Sequence, residues 1–179
     1  GAWNEKPGFL GLGQLDTMLR TNTFAQKVVK EVPNEVTRCW RSFNNESPDV
    51  VQKRQEAETN LDIKKSIRQA LWYANLYGGS ALLIVTEEEN QDLSQPLRIE
   101  SMRKGSLKKF QSVFLGEMTP MSSIDLDPTS LNFGRPEAYT LMNSKNTLIH
   151  QSRLILFDGF ELPLYSAIEQ MSFGDSILL

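Results

Sequence analysis

This sequence predicts an α+β domain, with N-terminal helices packed on a small mixed or antiparallel sheet. Three observations predict it. Helical patterns dominate the chain up to Tyr77. Beyond that point the apolar residues fall in short runs separated by turn residues, which is the signature of small strands. The two regimes meet at one sharp corner, Leu71 to Val85 (LWYANLYGGSALLIV). Helices first and strands later is the order of an α+β domain rather than of a doubly wound sheet.

Taken in chain order, Gly8 to Gly13 is glycine-rich, and residues 1–14 are expected to be a flexible lead-in to a single domain over 15–179. Leu12, Leu15 and Leu19 share one face of a first short helix. Asn22 or Thr23 caps a second helix, whose buried residues are expected to be Phe24, Val28 and Val32. Pro33 is expected to break that helix or start a fresh turn, leaving Val36, Cys39 and Trp40 near the core. Asn44 to Asp49 reads as a loop, and residues from about Val50 to Tyr77 as two helices divided at Asp62, which stands at an N-cap. Ile67, Ala70, Leu71 and Ala74 form the apolar face of the later helix. Gly78-Gly79 then supplies the backbone freedom for a turn into a strand over Ser80–Thr86, apolar enough to be buried on both sides. Glu87 to Pro96 is a polar loop. Further strands are expected at Lys109 to Leu115, at Glu137 to Met142 and at Arg153 to Phe157. Asn143 to Asn146 reads as a hairpin turn that lets Thr147–Ile149 pair back, with further turns at Asp127-Pro128 and Gly134-Arg135-Pro136.

Length and composition narrow the function classes. At 179 residues the chain can hold a real core, and 40% hydrophobic with 23% charged residues argues against global disorder. A net charge of -3 gives no whole-chain attraction to nucleic acid or anionic lipid, so such contacts would be local. One cysteine, Cys39, excludes an internal disulfide, and with one histidine it leaves no ligand set for a tetrahedral zinc; no metal and no cofactor are expected. No apolar run reaches a membrane-spanning length, and no membrane partner is expected. The sequence begins at Gly1 and stops at Ser176 to Leu179, where a new helical pattern starts, so it is expected to be a piece of something longer.

The chemical motifs are weak. There is no P-loop, no Gly-x-Ser-x-Gly elbow, and Gly8-x-x-Gly11-x-Gly13 has neither the order nor the preceding strand of a dinucleotide site. His150-Gln151-Ser152 has the form of a His-x-Ser element, but a two-histidine phosphodiesterase needs a second imidazole; the plainer reading is a histidine hydrogen-bonded to nearby backbone. Trp72, Tyr73 and Tyr77 read as core or interface packing ahead of a base-stacking platform. The cations Arg98, Arg103, Lys104, Lys108 and Lys109 stand against Glu100 alone. Plain solvation is the first reading of them. The second is a charge-steered contact with the Glu87, Glu88, Glu89 and Asp92 loop of a neighbouring subunit, and the third is phosphate contact. No catalytic residue is assigned.

Six groups of segments carry a family resemblance: Ala25 to Pro33 with Thr37 to Trp40; Ala70 to Val85; Gln95 to Leu97 with Lys104 to Leu107; Asn132 to Pro136; Ile149 to Arg153 with Phe157 to Gly159; and Gly174 to Ser176. In that order the chain from about Leu15 onward resembles the N-terminal half of tailed-bacteriophage portal proteins, in a group that includes portal-like regions named for an anti-CBASS phosphodiesterase. The resemblance implies a wing-like structural role and no enzymatic activity. It implies a homo-oligomeric ring, usually of twelve subunits, at the capsid vertex of the virion, assembled in the host cytoplasm. It implies terminase, capsid and neck proteins as partners, and double-stranded DNA passing without sequence specificity during packaging and ejection. The stem, clip and crown of such proteins lie in sequence after the Gly-Asp-Ser segment. The rival expectation is the non-catalytic N-terminal region of an anti-CBASS cyclic-oligonucleotide phosphodiesterase; a third is an unrelated interaction domain.

Overall fold

The computed structural model describes residues 11–43, 46–87, 92–121, 124–130, 132–142, 146–162 and 173–179. Among these, four helices precede six strands in two three-stranded antiparallel sheets, so the α+β class holds.

Helix α1 (Leu12–Thr21) starts inside the expected lead-in, with Gln14 Oε1 accepting from the Gly11 N–H at 2.9 Å. Leu15 is buried, but Leu12 is exposed. Asn22, in extended backbone, separates α1 from α2 (Thr23–Arg38) and caps the latter: its Oδ1 accepts from the N–H groups of Phe24 (2.9 Å) and Ala25 (3.3 Å).

The buried face of α2 is not the expected one. Ala25, Val29, Pro33 and Thr37 are buried, whereas Phe24 is 75% exposed, Val32 57% and Val36 46%. The row of smaller residues turns inward because it lets α2 come close to helix α4, and the larger apolar row is left outside. Pro33 also fails to break the helix. Its ring removes the N–H that would bond to the Val29 carbonyl four residues earlier. Asn75 Nδ2 of α4 donates to that carbonyl instead, at 3.1 Å. The expected burial of Val36 and Cys39 fails with the same rotation; both are exposed. Trp40 is half-buried and its Nε1–H donates to Glu58 Oε2 at 2.8 Å.

Helix α3 (Pro48–Asn60) has no buried residue and is held by polar contacts, chiefly Glu58 with Trp40 and Arg41, and Glu46 with Arg54 at 2.7 Å. Asp62 does mark the break before α4 (Ile63–Tyr77), though not by side-chain capping. Its backbone is left-handed (φ 50°), which redirects the chain. Helix α4 buries Ser66, Ala70, Ala74 and Leu76, while Ile67 and Leu71 are half-buried.

Gly78, at φ 86°, ends α4 with its N–H on the Ala74 carbonyl (2.8 Å). Strand β1 (Gly79–Thr86) follows at the centre of the order β2-β1-β6, flanked by β2 (Leu107–Phe114) and β6 (Leu154–Asp158), antiparallel to both. Ser80 Oγ donates to the Ala70 carbonyl at 2.6 Å and fixes β1 beneath α4. The second sheet, β3-β4-β5, comprises β3 (Met118–Pro120), β4 (Ala138–Leu141) and β5 (Thr147–His150). The β4–β5 pairing is the expected one, Tyr139 opposite Ile149; residues 143–145 of the expected turn lie outside the described residues. One core joins both sheets through Ala81, Leu83, Val113, Met118, Tyr139, Ile149, Leu154 and Phe173. Ser176 to Leu179 forms a turn, with Leu179 N–H on the Ser176 carbonyl at 3.3 Å.

Candidate assembly surface

The residues singled out for charge collect where β1 leaves the sheet and β2 enters it. A register shift between Val85 and Thr86 sets Thr86 opposite Leu107. The Glu87 N–H then reaches the Ser106 carbonyl (2.7 Å), and the Ser106 N–H reaches the Arg103 carbonyl (3.0 Å). Gly105, left-handed at φ 86°, completes the turn. Glu87 is thereby brought beside Lys108, and the two form an ion pair within one chain. Lys109 Nζ donates to Gln111 Oε1 at 3.1 Å, two residues along the same strand. Arg103 and Lys104 are exposed and make no ion pair among the described residues. Glu88 and Glu89 lie outside the described residues.

Strand β2 is an edge of its sheet, and exposed lysines on an edge discourage unwanted strand pairing. The structure thus gives Lys108 and Lys109 local duties. The Lys108–Glu87 pair is exposed enough that screening leaves it about 0–1 kcal/mol.

His150 serves the backbone, in keeping with the plainer reading of its motif. The Ser152 N–H donates to His150 Nδ1 at 3.1 Å, and Ser152 Oγ lies 2.9 Å from the same nitrogen. Ser152 Oγ in turn accepts from the Leu97 N–H (2.8 Å), which leaves its hydroxyl proton to point at Nδ1. The imidazole is held as an acceptor, with Nε2 3.8 Å from Glu137 Oε1. A cavity of about 380 Å³ lies alongside, lined in part by Asn132, Arg135, His150 and Gln151. Near it, Arg135 pairs with Asp158 (2.5 Å), and burial pushes the Tyr139 hydroxyl up to about 12. Among the described residues no group of three or more His, Cys, Asp or Glu could hold a metal ion, and no helix is long and apolar enough to cross a membrane.

The segments that carried the resemblance meet in space. Gln95 to Leu97 docks on His150 to Arg153: buried Arg153 donates from Nε to the Gln95 carbonyl (2.7 Å), and the His150 N–H reaches the Leu93 carbonyl (2.9 Å). A second junction joins Gly78, Gly159 and Gly174. The Gly159 N–H donates to the Gly78 carbonyl at 2.9 Å, and Phe160 and Asp175 exchange backbone hydrogen bonds of 2.8 and 3.0 Å. A Cβ on Gly78 would land on the Gly174 carbonyl, and one on Gly159 would land on the carbonyls of Asp175 and Ala74. The pieces are therefore joints of one architecture.

The sequence profile of the phage portal protein family matches residues 13–179, nearly the whole chain. The chain belongs to the phage portal protein family. A relative from Caulobacter sp. (strain RHG1), named "Anti-CBASS protein Acb1", is 30% identical over 172 residues, covering 94% of this chain and 27% of the relative. An "Uncharacterized protein" of Haemophilus influenzae (strain ATCC 51907 / DSM 11121 / KW20 / Rd) is 28% identical over 156 residues, covering 86% of this chain and 34% of the relative. This portal-family chain spans about a third or less of the length of the curated relatives it matches.

Sequence reasoning missed one surface feature of this portal-family domain. Phe24, Val32 and Val36 form an exposed apolar stripe on α2, with half-buried Val28 in the same row. The hydrophobic period of this row is visible in the sequence, where it has the spacing of a core-facing stripe.

Proposed function

We propose that this chain is a wing-like portion of a portal subunit, working by shape in a homo-oligomeric ring, of twelve copies by family resemblance, at the capsid vertex of a virion. Family membership carries the reading. The exposed α2 stripe supports it, because a head-to-tail contact repeated around a ring buries one such patch per subunit. Double-stranded DNA would pass through the ring, and terminase, capsid and neck proteins would dock on it. Arg103 and Lys104 would steer neighbouring subunits together electrostatically. No bond is made or broken by these residues in this scheme.

The test is the mass of the complete protein by light scattering, with electron microscopy of the particles. A ring is expected, and the triple substitution Phe24→Asp, Val32→Asp, Val36→Asp should abolish it while leaving the melting temperature of the subunit within a few degrees, since these side chains are exposed. A protein that stays monomeric across salt and concentration would defeat the reading.

The name of the Caulobacter relative favours a second reading, in which the chain is a non-catalytic region of a longer protein acting against CBASS. Hydrolysis of a cyclic oligonucleotide by the complete protein, unaffected by His150→Ala, would favour it.

A further inference from the structure

A groove between α2 and α4 concentrates positive charge in a chain whose net charge is -3. It has a volume of about 380 Å³ and is bordered by Lys30 and Asn34 from α2 and by Lys65, Arg68, Gln69 and Trp72 from α4. The small residues of the α2 face draw the helices together, and the long side chains on either side become the banks. Lys65 and Arg68 are exposed and one helical turn apart; Lys30 is half-buried and faces them from the other bank. None of the three makes an ion pair among the described residues. The nearby carboxylate Glu35 is occupied by Arg38, whose Nε lies 3.0 Å from both of its oxygens.

Two details define the ligand. Lys30 Nζ lies over the Trp72 ring, 4.5 Å from its centre, so this ring face is taken and offers no platform for a base. The Trp72 Nε1–H is sealed from solvent and has no hydrogen-bond partner among the described residues, so the indole offers no donor to a base edge. Three like charges held around one groove repel one another unless an anion sits between them. The groove runs along two helices and its Trp72 ring face is covered by Lys30, which suits a phosphodiester backbone better than a stacked base.

We propose that the α2–α4 groove is a sequence-independent contact for the phosphate backbone of duplex DNA, with Lys30, Lys65 and Arg68 as the phosphate-facing residues. Only the identity of the polyanion rests on the portal reading; the cationic groove is a feature of the single chain.

The experiment is fluorescence anisotropy of the complete protein with a labelled duplex of random sequence, between 50 and 200 mM salt. Three neutralised phosphates give a slope of log affinity against log salt of about -2.7, so affinity should fall about 40-fold across that range. Lys30→Gln, Lys65→Gln and Arg68→Gln should each make the slope shallower by about 0.9, while Lys108→Gln with Lys109→Gln should leave it unchanged. Circular dichroism of each variant separates lost binding from lost folding. Trp72 emission should change on DNA addition, and the change should vanish in Trp72→Phe. Three results would overturn the proposal: a slope unaltered in the folded triple-glutamine variant, displacement of the duplex by inorganic phosphate at equal phosphate concentration, or equal competition by poly-glutamate. A ring with an inert groove refutes this inference alone. An active groove on a permanent monomer refutes the ring alone.

Discussion

Replacing Asn75 by alanine should destabilise the domain by an amount that depends on residue 33. Proline at 33 leaves the Val29 carbonyl without its usual helical partner, and Val29 is fully buried; the Asn75 Nδ2–H at 3.1 Å takes that partner's place. Loss of that donor strands a buried acceptor, which costs about 1–3 kcal/mol. At this chain length each kcal/mol lowers the melting temperature by about 2–4 °C. In a Pro33→Ala background the new N–H bonds to the Val29 carbonyl within α2, and the Asn75→Ala penalty should fall below about 1 kcal/mol. Pro33→Ala alone combines relief of a costly helix interior with loss of a buried ring, so its own sign is not diagnostic. The coupling is the quantity that matters, and it should be about 1–2 kcal/mol. Urea denaturation of the four proteins measures it, provided the denaturant slope stays constant. The backbone carbonyl of Asn75, which accepts from Ile177 N–H at 2.8 Å, is untouched by these substitutions. Equal penalties in both backgrounds would show that Asn75 does not serve the gap left by Pro33.

Three further outcomes follow from particular contacts. Gly159→Ala should melt well below the parent, losing more than the usual 1–3 kcal/mol of overpacking, because its Cβ meets backbone that cannot rotate away; Gly13→Ala, in open helix, should raise stability by up to about 1 kcal/mol, and calorimetry ranks the two. Tyr139 keeps its proton to about 12 in the folded state, whereas the unfolded chain releases it near 10. The unfolded state therefore binds fewer protons between those values, and the stability present in full below about pH 10 should be lost at up to about 1.4 kcal/mol per unit as the pH rises to about 12; Tyr139→Phe should remove that decline in denaturation midpoints. The Trp40 indole, followed by Arg41, holds the Glu58 carboxyl below its usual range, so the stability it lends is present above that range and lost on acidification. Trp40 emission should hold through that range and shift only as the pH falls below it, and Glu58→Gln should abolish the shift.

Local signals in the sequence were reliable where the structure is local. The Gly78 corner, the Asn22 cap, the break at Asp62 and the β4–β5 hairpin each depend on residues within a few positions of one another. His150 was legible for the same reason, since Ser152 stands two residues away. The α2 face was not, because two neighbouring rows, Phe24-Val28-Val32-Val36 and Ala25-Val29-Pro33-Thr37, both have helical spacing. Hydrophobicity selects the first row; close approach to α4 selects the second. The continuity of α2 through Pro33 is not legible locally, because the donor that replaces its missing N–H belongs to a residue 46 positions from Val29. The charged surface was half legible. Composition marked the cations, but only the β1–β2 register reveals that Glu87 and Lys108 satisfy each other.

The glycine junction has a mechanical consequence. Where Gly78, Gly159 and Gly174 touch, main chain lies directly on main chain, and no side chain is available to repack and absorb a displacement. Strain applied to the Phe173–Leu179 stretch is delivered undamped to the end of α4 and the start of β1. A joint of that kind makes the domain stiff along one line.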